Sequence, residues 1–415
     1  MKASFLTFDF SILNSFLTIR YLSPMKHVLT TLMLGLLIMS ASAQDSTTKY
    51  FFVRTTGQMP FMEYGLGDDR LGGAKMTYLD TNLILKVIDS SGGDYKVQLS
   101  KYHSAYISKA NVRTDTSSKE KPYYLSSSFR VYGDEKHDYV SVSMEERLPY
   151  RAIQQIGPSR IAVDIFGVTT NTNWITQVAT AGEIKNVWYE QTEDDVMRVF
   201  IDLKHPQHWG YFIYYDSTGK RLMIRVKRQP SSLKPRNLFV AIDAGHGGTN
   251  SGAAGGTSKV LEKEYTLKFA KELEKYLKRK RVKIYMTRNE DAELSMPDRA
   301  LALRQQDPDL LISLHLNSSG NPVIKGTSTY YRYIGFRTLS QAILKRMLQL
   351  QLDDFGNVGA FNFALSGPTE YPNCLVEIAF LSNIEDEKKI LDPKFHKAVA
   401  KKIYRGIRDW GKSIN

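Results

Sequence analysis

Three segments of this 415-residue chain are apolar without alternation, and each stops on a side chain able to bind a metal or move a proton. Leu238-Phe239-Val240-Ala241-Ile242 runs into Asp243-Ala244-Gly245-His246-Gly247-Gly248. Asp309-Leu310-Leu311-Ile312-Ser313-Leu314 ends on His315, and Cys374-Leu375-Val376 ends on Glu377. Strands without a polar face must be covered on both sides, which restricts this part of the chain to an α/β architecture, a sheet flanked by helices. In such folds the chemistry collects at the carboxyl ends of the strands. A carboxylate-rich turn, Leu261-Glu262-Lys263-Glu264, follows the first segment. Two imidazoles and two carboxylates brought to one sheet edge would make a zinc site with a base beside it.

The pattern from Asn237 onward alternates strands and helices. Strands are expected at 238–243, 282–287, 309–315, 326–331 and 374–379, and helices at 264–280, 296–306, 336–352, 384–391 and 393–411. Asp392-Pro393 is a strong helix start, because aspartate caps the free N–H groups and proline suits the first helical position.

Before residue 236 the chain reads as β-structure. In 45–115, short strands at 50–54, 82–88, 94–99 and 104–108 are separated by turns, with Ser90-Ser91-Gly92-Gly93 breaking a hairpin. The polar stretch Thr114 to Lys121 is expected to be a linker. In 126–228 alternating strands at 139–144, 160–165, 196–203 and 221–226 predict a β-sandwich, and Gln229 to Pro235 a second linker. The fold class is therefore multidomain, two small all-β units followed by an α/β unit over 236–415.

The formal net charge of +13 suits an anionic partner, and no nucleic-acid motif accompanies it. The run Lys278-Arg279-Lys280-Arg281 falls at an expected helix end, where cations complement the dipole. Met25-Lys26-His27 opens an apolar stretch from Val28 to Met39 that closes on Ser40-Ala41-Ser42-Ala43-Gln44. A basic start, a short apolar core and an Ala-x-Ala end describe a secretory signal over 25–43, with translation starting at Met25 rather than within 1–24 and no membrane span in the mature chain. The single cysteine, Cys374, cannot form an internal disulfide, and its place in an apolar strand points to burial.

The C-terminal segments resemble the zinc-dependent N-acetylmuramoyl-L-alanine amidases (Amidase_3). The resemblance is carried by Val240 to Gly248, Glu262-Lys263-Glu264-Tyr265-Thr266-Leu267, Met286-Thr287-Arg288, Ser313-Leu314-His315-Leu316-Asn317, Lys325-Gly326-Thr327, Phe361-Asn362-Phe363 and Val376 to Asn383, in family order. It implies one zinc ion held by His246, Glu262 and His315, with Glu377 as general base and then acid. Glu264, two residues from Glu262, is the alternative ligand. Glu377 has an alternative too, a buried ion pair with Arg288 or Arg299. Asp243, Asn317 and Asn362 lie in matched blocks and could orient ligands or substrate, and Arg288 could bind a substrate carboxylate. His205 and His208 flank Pro206 in an exposed-looking turn, and His103, His137 and His396 have no partner legible in the sequence.

Segments Ser159 to Ile165 and Arg198 to Leu203 resemble AMIN domains, and 45–115 is similar to bacterial SH3-like barrels. The implied protein is an exported, periplasmic or wall-associated peptidoglycan hydrolase that cleaves the amide between N-acetylmuramic acid and L-alanine, in wall remodelling or cell separation. The β units are expected to be targeting modules, separable from the catalytic one. A zinc peptidase acting within the stem peptide and a non-catalytic wall-binding protein are the competing readings. Ala244 stands where the family commonly has proline. Only one helix fits between Tyr331 and Phe361, so an open groove without an obligatory activator is expected. Amino-terminal sequencing of the mature protein should begin at Gln44; a start near Met1 would reject the signal assignment.

Overall fold

The computed structural model describes residues 50–67 and 72–414, so the expected signal at 25–43 and the stretch before it lie outside the described residues. Residues 50–115 form a seven-stranded sheet in the order Lys75–Tyr78, Phe61–Glu63, Ser104–Ser108, Asp94–Gln98, Ile84–Ser91, Phe51–Thr55, Val112–Asp115. All its pairings are antiparallel. Phe61–Glu63 and Lys75–Tyr78 are too short to show an alternation in the sequence. The expected linker from Thr114 begins inside the last strand, because Asp115 accepts from Arg54 at 2.6 Å and from the hydroxyls of Ser117 and Ser118.

Residues 124–227 form two sheets. One runs Tyr150–Ile156, Ser159–Phe166, Val196–Leu203, Ile184–Glu193; the other runs Val168–Thr170, Tyr124–Gly133, His137–Met144, Arg221–Lys227, Tyr211–Tyr215, with Ile175–Gln177 beside Tyr124–Gly133. Val163, Ile165 and Val199 from the first and Val140, Val142 and Ile224 from the second share one core, as a sandwich requires. That core continues into Val53, Leu85 and Val97 of the preceding sheet.

The C-terminal sheet comprises β1 (Phe239–Ala244), β2 (Lys283–Met286), β3 (Leu310–Asn317), β4 (Thr327–Tyr330), β5 (Asp354–Val358) and β6 (Asn373–Phe380). Its order is β2-β1-β3-β6-β4-β5. The first four in that order are parallel, and β4 runs against β6. The strand β5 was not expected, since Asp354, Gly356 and Asn357 are poor strand formers and it sits at an edge. The helices are α1 (Glu262–Arg279), α2 (Met296–Gln306), α3 (Arg337–Met347), α4 (Ile384–Leu391) and α5 (Pro393–Ser413). The helix expected to reach 352 stops at Met347, and after one 3-10 turn Gln351 turns left-handed at φ 57°. Asp392 caps α5 as expected, accepting from Lys394 N–H. The buried stripe of α1 (Phe269, Leu273, Leu277) meets that of α5 (Val399, Ile403, Ile407) in one core with β1, β3 and β6. No helix among the described residues is long and apolar enough to cross a membrane.

The β units are not loosely strung before this sheet. The ring of Trp209 lies 5.2 Å from that of Trp410, and Leu233, in the second expected linker, is buried in the same core. Lys227 donates to Pro308 O at 2.6 Å and pairs with Asp307, which also faces His137. Gly335 N–H donates to Gln154 Oε1 at 2.9 Å. Cutting at the linker would strip Trp410 of its cover, a contact that the expectation of a separable C-terminal unit did not include. Trp209→Ala should lower unfolding free energy by about 3–5 kcal/mol in denaturant titration, the usual cost of emptying an aromatic core position.

Candidate metal centre

The β1 strand ends at Ala244, and the chain then turns left-handed at His246 (φ 62°), Gly247 (φ 132°) and Gly248 (φ 59°). Glycine takes such a backbone freely, whereas histidine pays for it. The cost is met by Arg299 of α2. Its guanidinium donates to the carbonyls of Ala244, at 2.8 Å, and His246. It also pairs with Asp243 at 2.7 Å, both groups being almost fully buried. Asp243 accepts in addition from Thr287 and Ser313 hydroxyls, each at 2.7 Å. Burial pushes its carboxyl up, but Arg299 and the neighbouring donors outweigh it and hold the group below the ordinary range.

Three side chains then converge. Glu262 Oε1 lies 3.1 Å from His246 Nε2 and 3.2 Å from His315 Nδ1, and one ligand atom from each residue falls within 4.8 Å of the others. Two imidazole nitrogens and a carboxylate oxygen at tetrahedral zinc, with bonds of about 2.0–2.1 Å, would stand about 3.3 Å apart, so the donors fit such an ion. Glu262 is aimed by the backbone: Oε1 accepts from Leu316 N–H at 3.0 Å and Oε2 from Ala253 N–H at 2.8 Å. Burial alone would raise its carboxyl, but the bonds to both histidines keep it well below the ordinary carboxylate range. Burial likewise would lower His315, yet Glu262 and the charge of Glu377 raise it. Glu264 is exposed on the outer side of α1.

His246 Nδ1 faces Asn250 Oδ1 at 2.8 Å, an oxygen that also accepts from Gly252 N–H. The amide oxygen must receive a proton from the ring, which leaves the Nε2 lone pair free for a metal. Asn250 was missed in the sequence; its one signal is a place four residues after His246 in a glycine-rich loop. Arg299 was singled out there only as a possible partner of Glu377.

Glu377 is paired in register with His315 across β6 and β3, which sets both side chains on one face. It is 7% exposed and lines the same cavity, of about 460 Å³, as His246, Glu262, His315, Asn317 and Phe363. Neither arginine offered as its ion-pair partner is spent on it. Arg299 is committed to Asp243, and Arg288 donates to the carbonyls of Ala244, Gly245, Lys263 and Glu290. Arg288 is buried, so the expectation that it grips a substrate carboxylate is corrected: its donors hold the loop instead. Asn317 does line the cavity, whereas Asn362 turns to Gly73 and Lys75 of the N-terminal sheet.

The other histidines among the described residues have structural partners. His208, expected in an exposed turn, is buried and bonds Gln155 O at 2.8 Å through Nε2, and His205 pairs with Glu183. His103 meets Ser100 and Glu193, and His396 meets Ile390 O. Cys374 is buried, and burial pushes its thiol well up. Helix α3 packs Leu339, Ile343 and Met347 into the core and contributes no residue to the cavity lining.

Gly245 lies directly on the His315 ring: a Cβ there would come within 2.4 Å of Cε1 and 2.5 Å of Nε2. Gly245→Ala should therefore weaken metal binding by about 10–100-fold, the usual effect of disturbing a ligand's support, as read by metal titration of the folded protein.

Known proteins resemble the chain in two stretches. Residues 240–409 match the family model described as N-acetylmuramoyl-L-alanine amidase, and residues 128–226 match that of the AMIN domain. A probable cell wall amidase, LytH of Staphylococcus epidermidis, is 31% identical over 190 residues, covering 46% of this chain and 64% of that protein. The chain thus spans less than two thirds of LytH. The N-acetylmuramoyl-L-alanine amidase AmiC of Escherichia coli is 25% identical over 366 residues, covering 67% of this chain and 88% of that one. Among solved structures, the catalytic domain of CwlV, an N-acetylmuramoyl-L-alanine amidase from Bacillus (Paenibacillus) polymyxa, is 31% identical, with a TM-score of 0.41; the match covers 43% of this chain and 99% of that one.

Proposed function

Because its residues 240–409 match the family model of N-acetylmuramoyl-L-alanine amidases, we propose that this chain hydrolyses the amide joining N-acetylmuramic acid to L-alanine of the peptidoglycan stem. The observation that carries the reading is one cavity in which His246, Glu262 and His315 converge beside the buried carboxylate of Glu377. The three ligands would hold one Zn2+, for which two nitrogens and an oxygen with an open fourth position are a suitable set. Bound there, the ion would polarise the scissile carbonyl and acidify the attacking water.

The protein's own groups do the rest. Glu377 takes a proton from that water and returns it to the departing alanine nitrogen, so no free amide anion need leave. The Asn250 contact fixes the His246 tautomer, and the backbone donors of Leu316 and Ala253 keep Glu262 aimed. Phe363 forms an apolar wall beside His315, their ring centroids 5.8 Å apart.

The AMIN match and the similarity to AmiC support work outside the cytoplasm, in the periplasm or at the wall, in remodelling or cell separation. The units 45–115 and 126–228 are read as wall-targeting modules ahead of the catalytic unit 236–415, and the same reading invokes no obligatory activator.

Digestion of purified sacculi followed by mass spectrometry tests the reading: intact glycans and peptides beginning with L-alanine are expected, and cuts within the stem would refute it. Glu377→Gln should keep its metal and lose about 10²–10⁴-fold in kcat, the scale of lost general acid–base catalysis. Glu262→Ala should lose the metal, and Glu264→Ala should keep it; the reverse pattern would overturn the ligand assignment.

A further inference from the structure

The cavity wall that carries Phe363 is held from outside the C-terminal unit. Asn362, its neighbour, donates from Nδ2 to Gly73 O at 2.8 Å and accepts at Oδ1 from Lys75 N–H at 3.3 Å. Its amide thus pairs with the edge strand Lys75–Tyr78 of the N-terminal sheet much as another strand would. Arg332, just after β4, joins both sides: it donates to Asn362 Oδ1 at 2.7 Å and to Lys75 O. Two residues on, Ala364 O accepts from Tyr78 OH at 3.4 Å. The ring of Tyr78 lies so close to Gly367 that a Cβ there would come within 2.7 Å of Cε2.

Between these attachments Phe363 turns the other way, into the cavity beside His315. Phe361 packs behind it with tilted rings, its centroid 4.7 Å from that of Phe363 and 4.6 Å from that of Tyr330. The segment 359–363 has no regular secondary structure of its own. Within the C-terminal unit Phe361 N–H donates to Tyr331 O and Ser366 N–H to Phe363 O, each at 3.2 Å, and the N-terminal sheet clasps the same segment from outside.

We propose that the N-terminal β unit acts in cis on the reaction: by clasping residues 362–367 it positions Phe363, the apolar wall against which the muramyl-peptide lies. Asn362 and Tyr78 are positioning residues, acting through Phe363. The proposal rests on the amidase reading for the identity of the substrate and gives the β unit a role beyond targeting.

The test is a double-mutant cycle in the full-length protein, using Asn362→Asp, Phe363→Ala and the pair. Aspartate keeps the partner of Arg332 but sets a second acceptor against Gly73 O. Three quantities are read: kcat and KM on a soluble muramyl-peptide, metal per chain, and hydrogen exchange at 72–78 and 359–367. Asn362→Asp should speed exchange in both segments and raise KM about tenfold while kcat falls less than about threefold, the signature of lost uniform binding. Metal content should stay at wild type. The pair should be no worse than Phe363→Ala alone, because both changes act through one ring. Independent, multiplying effects, or opened exchange with an unchanged KM, would overturn the proposal. Should Asn362→Asp not fold, Tyr78→Phe, which removes one hydroxyl, replaces it in the cycle, with a smaller rise in KM expected. An enzyme that releases no L-alanine-ended peptide would defeat the amidase reading instead; the same cycle read as calorimetric affinity for the muramyl-peptide would then decide the clasp.

Discussion

The Asp243–Arg299 pair is the contact on which the centre depends. Both groups are about 1% exposed, and they lie 2.7 Å apart under the end of β1. Removing one partner of such a buried pair costs about 3–5 kcal/mol, because the other charge stays behind without compensation. Here more than stability is at stake. The same guanidinium binds the carbonyls of Ala244 and His246, and so holds the strand end while the backbone turns left-handed. Without that grip His246 would relax toward an ordinary backbone and swing its ring away from Glu262. A buried ion pair adds little net stability against an apolar substitute, but here it purchases a geometry that no apolar side chain could enforce.

Much of the catalytic unit was legible in the sequence for a physical reason. Strands covered on both faces cannot hide their character, and β1, β3 and β6 read directly from runs such as Asp309 to Leu314. The helices followed from periodic burial and from caps such as Asp392. The gathering of His246, Glu262, His315 and Glu377 was legible through family order, not through spacing, since the four come from four separated elements. Asn250 and Arg299 stayed hidden because their roles depend on loop conformation and on α2 crossing under β1. Arg288 misled for the same reason: an arginine near a site looks like a substrate clamp until its donors are traced to backbone carbonyls.

The N-terminal half was legible in kind and not in connection. Alternating strands announced β units, but nothing in Gln229 to Pro235 signalled that Leu233 would be buried or that Trp209 would cover Trp410. Polar stretches were read as linkers because exposed loops and docked loops have similar compositions. Docking is decided by the partner surface, a tertiary property. The same limit applied to His208, whose neighbour Pro206 suggested a turn in water, while the C-terminal unit covers it at Gly335, where an added Cβ would come within 2.8 Å of His208 Cβ and Cγ.

That packing changes what a targeting module means in this molecule. A tethered domain raises local concentration and leaves the chemistry of its partner unchanged. A docked one shares contacts with the groove, so whatever strains or steadies the N-terminal sheet is transmitted through its edge strand to Asn362. The route is short: Lys75 and Gly73 touch Asn362, and Asn362 is covalently next to Phe363. Any wall component that bound the N-terminal sheet at this edge would compete with Asn362 for the same backbone groups, and one that bound elsewhere on the unit would leave the clasp intact. On the proposed reading, the N-terminal sheet and the groove meet at one seam, made by the Asn362 amide with Arg332 and Tyr78 beside it.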